Sequence, residues 1–228
     1  MSDSWLQQIR SHVERHIGRI DRVFPGDPAQ GTADVLHVSP VNSRPYHTLV
    51  TAGMSNIAMR VPSDVNAPHR LELMMTLAER WKFRGDAADE RTYWPVRLLQ
   101  SLSRAPRDQS EPRRGEREEI PRDERKGWLG WGDTVPNGDP PRPLARHTAL
   151  CGVIIAPSLL VPVAFYELNV DGERVAFYSA VPLYREELEL RAREGMAALL
   201  ERLLQKDIND VVDLKRRNVA KVKRFGLF

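Results

Sequence analysis

Tyr46-His47-Thr48-Leu49-Val50-Thr51-Ala52-Gly53-Met54-Ser55-Asn56 joins an extended run to an abrupt corner. Its first half is extended and β-branched, Gly53 breaks it, and Met54-Ser55-Asn56 turns a corner. A second alternating run follows from Arg70 to Leu77. Leu71, Leu73, Met75 and Leu77 share one face; Arg70, Glu72, Met74 and Thr76 share the other. Because the first face is wholly apolar, the run predicts a half-buried strand with a carboxylate, Glu72, at the centre of its second face. Tyr93-Trp94-Pro95-Val96 then opens a helix, since proline suits a first turn where its missing N–H costs nothing. Leu98, Leu99 and Leu102 form its buried stripe, and Pro106 stops it.

Working outward, Ser4 to Gln7 fits a capping box, and Leu6, Ile9, Val13, Ile17 and Ile20 recur at helical spacing, with Gly18 near the helix end. Val35 to Val38 and His47 to Thr51 read as strands separated by the turn region Pro40 to Pro45. Downstream, Leu150 to Ile155 is a buried strand. Val163 to Val170 and Arg174 to Val181 form a hairpin through Asp171-Gly172, a pair that tolerates positive φ. Tyr184 to Lys206 reads as one long helix with Leu188, Ala192, Gly195, Leu199 and Leu203 on a single face, and Ile208 to Leu214 as a short amphipathic segment. Strands joined by short turns, with helices at the ends and middle, predict an α+β fold: a mixed, largely antiparallel central sheet with helices packed against it, in one domain over residues 1–228.

The 228 residues suffice for a core without staples. The single cysteine, Cys151, excludes an internal disulfide framework, and its apolar neighbours read it as a small buried hydrophobe. The N-terminus lacks a basic stretch followed by an apolar one, and no apolar run is long enough to span a membrane, so the cytoplasm is the expected compartment. From Asp213 to Phe228 there are six basic residues and one acid, so the formal charge of +3 belongs to the tail, and the rest of the chain is slightly acidic. The basic tail, 214–228, is either a solvated terminus or a contact for nucleic acid, although it lacks the interleaved aromatics of a single-strand binder. Residues 107–126 are dense in charges of both signs and broken by Pro112, Gly115 and Pro121; such a composition predicts an exposed, flexible insertion.

Catalytic patterns are weak. Phosphate-cradling glycine motifs are absent. His12 and His16 stand four apart, but the run reads H-V-E-R-H rather than the zincin H-E-x-x-H, so a solvated helix face is expected. Ser55 follows Gly53 as a nucleophile would, yet Ile57 stands where a nucleophile elbow requires glycine. Glu72 reads as a structural anchor paired with Arg70, Arg97 or backbone N–H groups in preference to a general base. Asp133 and Asp213 are loop acids that could join its network. Trp128, Trp131 and Trp94 suggest either an aromatic binding patch or a lid over the core. No cofactor or metal is implied.

Taken in order, Pro45 to Ser55, Arg70 to Met75, Trp94 to Leu99, Gly127 to Gly132, Val181 to Tyr184, Asp210 to Asp213, Asn218 to Lys221 and Arg224 to Phe228 resemble the suppressor of fused domain family, especially its bacterial single-domain members. The chain departs from that pattern at Asp133, where members usually carry histidine, and in the charged insertion. The resemblance implies a mixed α+β domain that works by binding other proteins. Animal relatives restrain zinc-finger transcription factors through a cleft between two domains; bacterial members are proposed to be toxin-immunity proteins or general binding modules. The expected function is therefore non-enzymatic sequestration of a protein partner, with a toxin among the candidates. Gly53, Met54, Ser55, Asn56, Trp128, Trp131, Asp133, Arg216 and Asn218 are the expected partner-binding residues, and Glu72, Trp94 and Asp213 the expected anchors. The alternatives are a hydrolase using Glu72 or Asp133 with a histidine, and nucleic-acid contact through the tail.

Overall fold

Strands β1 (Arg22–Phe24), β2 (Asp34–Val38), β3 (Tyr46–Ala52) and β4 (Arg70–Ala78) pair antiparallel in sequence order, as short connections between alternating runs dictate. The far edge of β4 takes β8 (Glu173–Tyr184) in parallel from Arg70 to Met74, and then β9 (Val211–Val212) in parallel at Thr76 and Leu77. β8 runs on antiparallel to β6 (Leu150–Ala156), and β6 to the outer strand β5 (Thr134–Pro136). β7 (Glu167–Val170) folds onto β8 through the Asp171-Gly172 turn. The result is a nine-stranded mixed sheet, mostly antiparallel, in the order β1-β2-β3-β4-β8-β6-β5, which is the α+β architecture expected from sequence. The computed structural model describes residues 3–61, 67–83, 89–110 and 129–221.

Among the described residues, four α-helices accompany this sheet: α1 (Asp3–His16), α2 (Glu90–Leu102), α3 (Ala105–Ser110) and α4 (Arg185–Leu204). Leu71, Leu73, Met75 and Leu77 meet Trp94, Val96 and Leu99 of α2 on one face. On the opposite face, Leu36, Val50, Met74 and Phe177 pack on Ile9 and Val13 of α1 and on Phe165. Further along that second face, Ile154 and Leu183 carry Leu190, Leu199 and Leu203 of α4. Each fully buried Leu, Met or Phe contributes about 1.5–3 kcal/mol of transfer free energy. β4 is therefore buried on both faces, Met74 and Thr76 completely, and the half-buried strand read from alternation is corrected: α1 arrives from far away in sequence to cover the second face.

Several boundaries also differ from expectation. α1 already includes Ser4 and stops at His16, where the Gly18 N–H turns back to the Val13 carbonyl. α2 starts at Glu90, one turn before Pro95, because the Asp89 carboxylate caps it by accepting from the Arg91 N–H. α2 ends at Leu102, and Pro106 lies in the first turn of α3 rather than stopping α2. α4 breaks at Gly195 (φ 88, ψ 173), which resets the helical phase; Ala192 and Gly195 face solvent while Leu190, Leu199 and Leu203 are buried. The segment 208–214, read as amphipathic without an assigned element, supplies β9. Of the charged segment 107–126, residues 107–110 belong to α3, and the remainder lies outside the described residues.

Candidate functional site

The Gly53 corner is built around Glu72. β3 and β4 part company after the Val50–Met74 pair, and the Thr51 hydroxyl then accepts the Leu73 N–H at 2.8 Å while donating to Glu72 Oε2 at 2.6 Å. Gly53 adopts φ 121, a conformation that side chains resist, and this aims the Gly53 and Ser55 N–H groups at Glu72 Oε1, each at 3.0 Å. The Ser55 hydroxyl donates to the same oxygen at 2.6 Å and accepts from the Trp5 indole at 3.1 Å. Arg70 lies over the Trp5 ring and donates to the Ser55 and Asn56 carbonyls, so it closes the corner without touching the carboxylate. Glu72 is wholly buried, and that burial pushes its carboxyl above the usual range, against the hydrogen bonds from Ser55 and Thr51.

This geometry changes two readings. Met54 and Ser55, expected on a partner surface, are buried and offer a partner nothing to touch. The hydrogen bonds of Glu72 go to Thr51, Gly53 and Ser55 and not to a histidine, so the general-base pairing for a hydrolase is not assembled at this carboxylate. Asp213 is exposed and accepts the Lys215 N–H at 2.9 Å; it caps its own turn rather than joining the Glu72 network. Trp94 is buried, edge-on to Trp81 at 6.0 Å.

Residues Gly130 to Asp133 form a second constructed corner. The Asp133 N–H bonds the Gly130 carbonyl, the Asp133 carboxylate accepts the Gly130 N–H at 2.8 Å, and Gly132 takes φ 89 at the third turn position, where a type II turn needs glycine. The turn is sewn to β6 by Gly132 N–H to Ile155 carbonyl (2.8 Å) and Ile155 N–H to Asp133 carbonyl (2.9 Å), and to α4 by Arg191 on the Gly132 carbonyl (3.1 Å). Trp131 stands at the tip, 58% exposed, immediately before the outer strand β5. Trp128 lies outside the described residues.

Arg216 and Asn218 are not a free basic arm. Arg216 makes a two-pronged ion pair with Glu187 of α4 (2.7 and 2.5 Å), both side chains being almost fully buried. Its guanidinium also donates to the Pro182 carbonyl at 2.7 Å and sits over the Tyr184 ring. Glu187 takes the Tyr184 and Val219 N–H groups besides, and Asn218 donates to Glu186 at 2.8 Å. A buried charge demands such full pairing. The described part of the tail is thus docked, which corrects its reading as a solvated terminus and removes Arg216 from the exposed surface. Sequence reasoning missed Glu187; the available signal was Tyr184-x-x-Glu187 opening a helix.

Three of the histidines, His12, His37 and His47, are held inside the fold. His12 is buried against Phe165 and Phe177 and donates to the Phe165 carbonyl at 3.1 Å, in place of the solvated face expected for it. His37 and His47, which looked scattered, meet at 2.9 Å across β2 and β3. Since His47 Nε2 faces the Glu79 carbonyl, it carries a proton; His47 Nδ1 therefore accepts from His37 Nε2. Burial first, then the neighbouring His47, lowers His37 to about 4. No cluster of three or more potential metal ligands occurs among the described residues, nor is any helix there long and apolar enough to cross a membrane.

The mixed sheet with its enclosed carboxylate and presented indole defines a rigid α+β scaffold. The chain belongs to the suppressor of fused protein (SUFU) family, whose model matches residues 30–217. Its fold is similar to that of a SUFU homologue from Neisseria gonorrhoeae, with TM-score 0.61 and 15% identity over 96% of this chain and 98% of that one. It is similar also to a chain in the crystal structure of the Sufu–Fu complex, with TM-score 0.55 and 15% identity over 96% and 93% of the two chains. Drosophila Suppressor of Fused matches over 87% of this chain and 42% of its own, with TM-score 0.49 and 15% identity. No curated protein matches the sequence.

Proposed function

We propose that this chain is a non-catalytic module that sequesters a protein partner along its β5 edge, with Trp131 as the anchoring side chain. The observation that carries the reading is Trp131 itself: a mostly exposed indole fixed on a turn that hydrogen bonds and a positive-φ glycine hold rigid. An exposed aromatic with little conformational entropy left to lose is the usual core of a binding hot spot. The adjoining outer strand has no described strand on its far side, so main-chain groups are available for an extended partner segment. Family membership supports the reading, as does the Sufu–Fu complex, in which a structurally similar protein is seen with a protein partner. A toxin is one partner class consistent with it.

The test is capture by tagged full-length protein from cells that produce it. The reading predicts a protein held by the wild type and by Leu204→Ala, an exposed apolar site at the C-terminal end of α4, and lost with Trp131→Ala at unchanged thermal stability. Equal capture by the Trp131 variant sinks the reading.

A further inference from the structure

A cleft of about 730 Å³ opens between the C-terminal end of β4, the start of α2 and the chain leaving β9. Its floor carries Trp81 and Leu214. Trp81 is locked there: its indole N–H donates to the Thr92 carbonyl at 3.0 Å, and its ring meets Trp94 edge-on. Arg80, Lys82, Arg91 and Lys215 line the cleft with exposed side chains, and none of the four enters an ion pair among the described residues. The two acids in the lining are engaged with local structure. Asp89 accepts the Arg91 N–H and the Thr92 hydroxyl (3.2 and 3.0 Å), and Asp213 accepts the Lys215 N–H (2.9 Å). Among the described lining residues, four cations against two anions leave a formal surplus of +2, concentrated in a space smaller than a few Debye lengths of about 8–10 Å.

We propose that this cleft docks a short acidic segment of a protein partner, a few residues long, with carboxylates spaced to meet the cations and one apolar side chain on the Trp81–Leu214 floor. Pockets of roughly 300–1,000 Å³ take ligands of that size. Asp89 and Asp213 interrupt the basic lining, which opposes a continuous phosphate backbone but admits carboxylates separated by neutral residues. β8 and β6 separate β4 from β5, so the cleft is independent of the Trp131 reading.

The experiment is fluorescence anisotropy with the full chain and a rhodamine-labelled hexapeptide alternating Glu and Leu. Saturable binding is expected at about 50 mM NaCl, falling about tenfold or more by about 500 mM. Lys82→Glu with Arg91→Glu should weaken it at least about tenfold. Both residues are exposed, and an unchanged thermal midpoint certifies the fold. Lys215→Glu provides a second, separate reversal, and Trp131→Ala should leave the affinity alone. Absence of saturable binding, indifference to both sets of reversals, or tighter binding of an oligodeoxynucleotide with the same dependence on them would each overturn the proposal.

Discussion

Glu72 has different company at its two oxygens. Oε2 meets the Thr51 hydroxyl, whereas Oε1 takes the Gly53 and Ser55 N–H groups and the Ser55 hydroxyl. In Glu72→Gln, the amide can donate to Thr51 Oγ1 while its oxygen keeps the other three donors, so the substitution should be mild. Glu72→Ala strands two backbone donors inside the protein and should cost about 3–5 kcal/mol. Because folding raises the Glu72 pKa, its contribution to stability is present below the unfolded value of about 4.3 and is lost as pH rises through the folded one. Denaturant unfolding at about pH 4 and pH 7 should therefore show Glu72→Gln gaining on wild type at the higher pH; a constant difference would show that the carboxyl does not titrate as described. His37 works in the opposite sense. Its pKa falls from the ordinary value of 6.5 to about 4, so stability present above 6.5 is lost as pH drops through about 4. His37→Gln keeps a donor toward His47 Nδ1 and should flatten the fall in thermal midpoint between those pH values. An unaltered acid limb would remove the histidine pair as its cause.

At the scale of elements, Arg216 is the bolt that fastens the C-terminal chain to α4. Removing one partner of a buried ion pair costs about 3–5 kcal/mol, since the other charge is left enclosed. Arg216→Ala should therefore lower stability by about that amount and expose the hydrogen-bonded Val219 and Ala220 amides to rapid hydrogen exchange; retained protection with an unchanged midpoint would contradict the clamp. The order β2, β3, β4 and the β7–β8 hairpin were legible because alternation and turn residues are local signals. The second face of β4 was not, since it needs α1 from far away in sequence. Neither was β9, two residues whose strand character comes wholly from β4. The break at Gly195 was hidden by leucines that keep an acceptable helical spacing across it. Of the candidate site, the Gly53 corner and Trp131 could be singled out from glycine and aromatic placement. Burial of Met54, Ser55 and Arg216 could not, because it is decided by the distant apolar core that Met54 joins and by the distant carboxylates that Ser55 and Arg216 meet.

On the scale of the whole molecule, the main path of the sheet ends in two outer strands, β1 and β5. Proteins blunt such edges because an open one recruits other chains. β5 is short and ends at Pro136, which limits indiscriminate pairing, yet the turn before it holds Trp131 out to solvent. The interior offers a different picture: its buried carboxylates and histidines are absorbed in hydrogen bonds that hold the scaffold together. Partner recognition, as proposed, occurs at this edge. A photo-crosslinking amino acid placed at position 131, with one at position 204 as control, tests it most directly in cells that produce the protein. Recognition at β5 should give a discrete crosslinked protein from position 131 and none from 204; the same adduct from both positions, or none from 131, would rule it out.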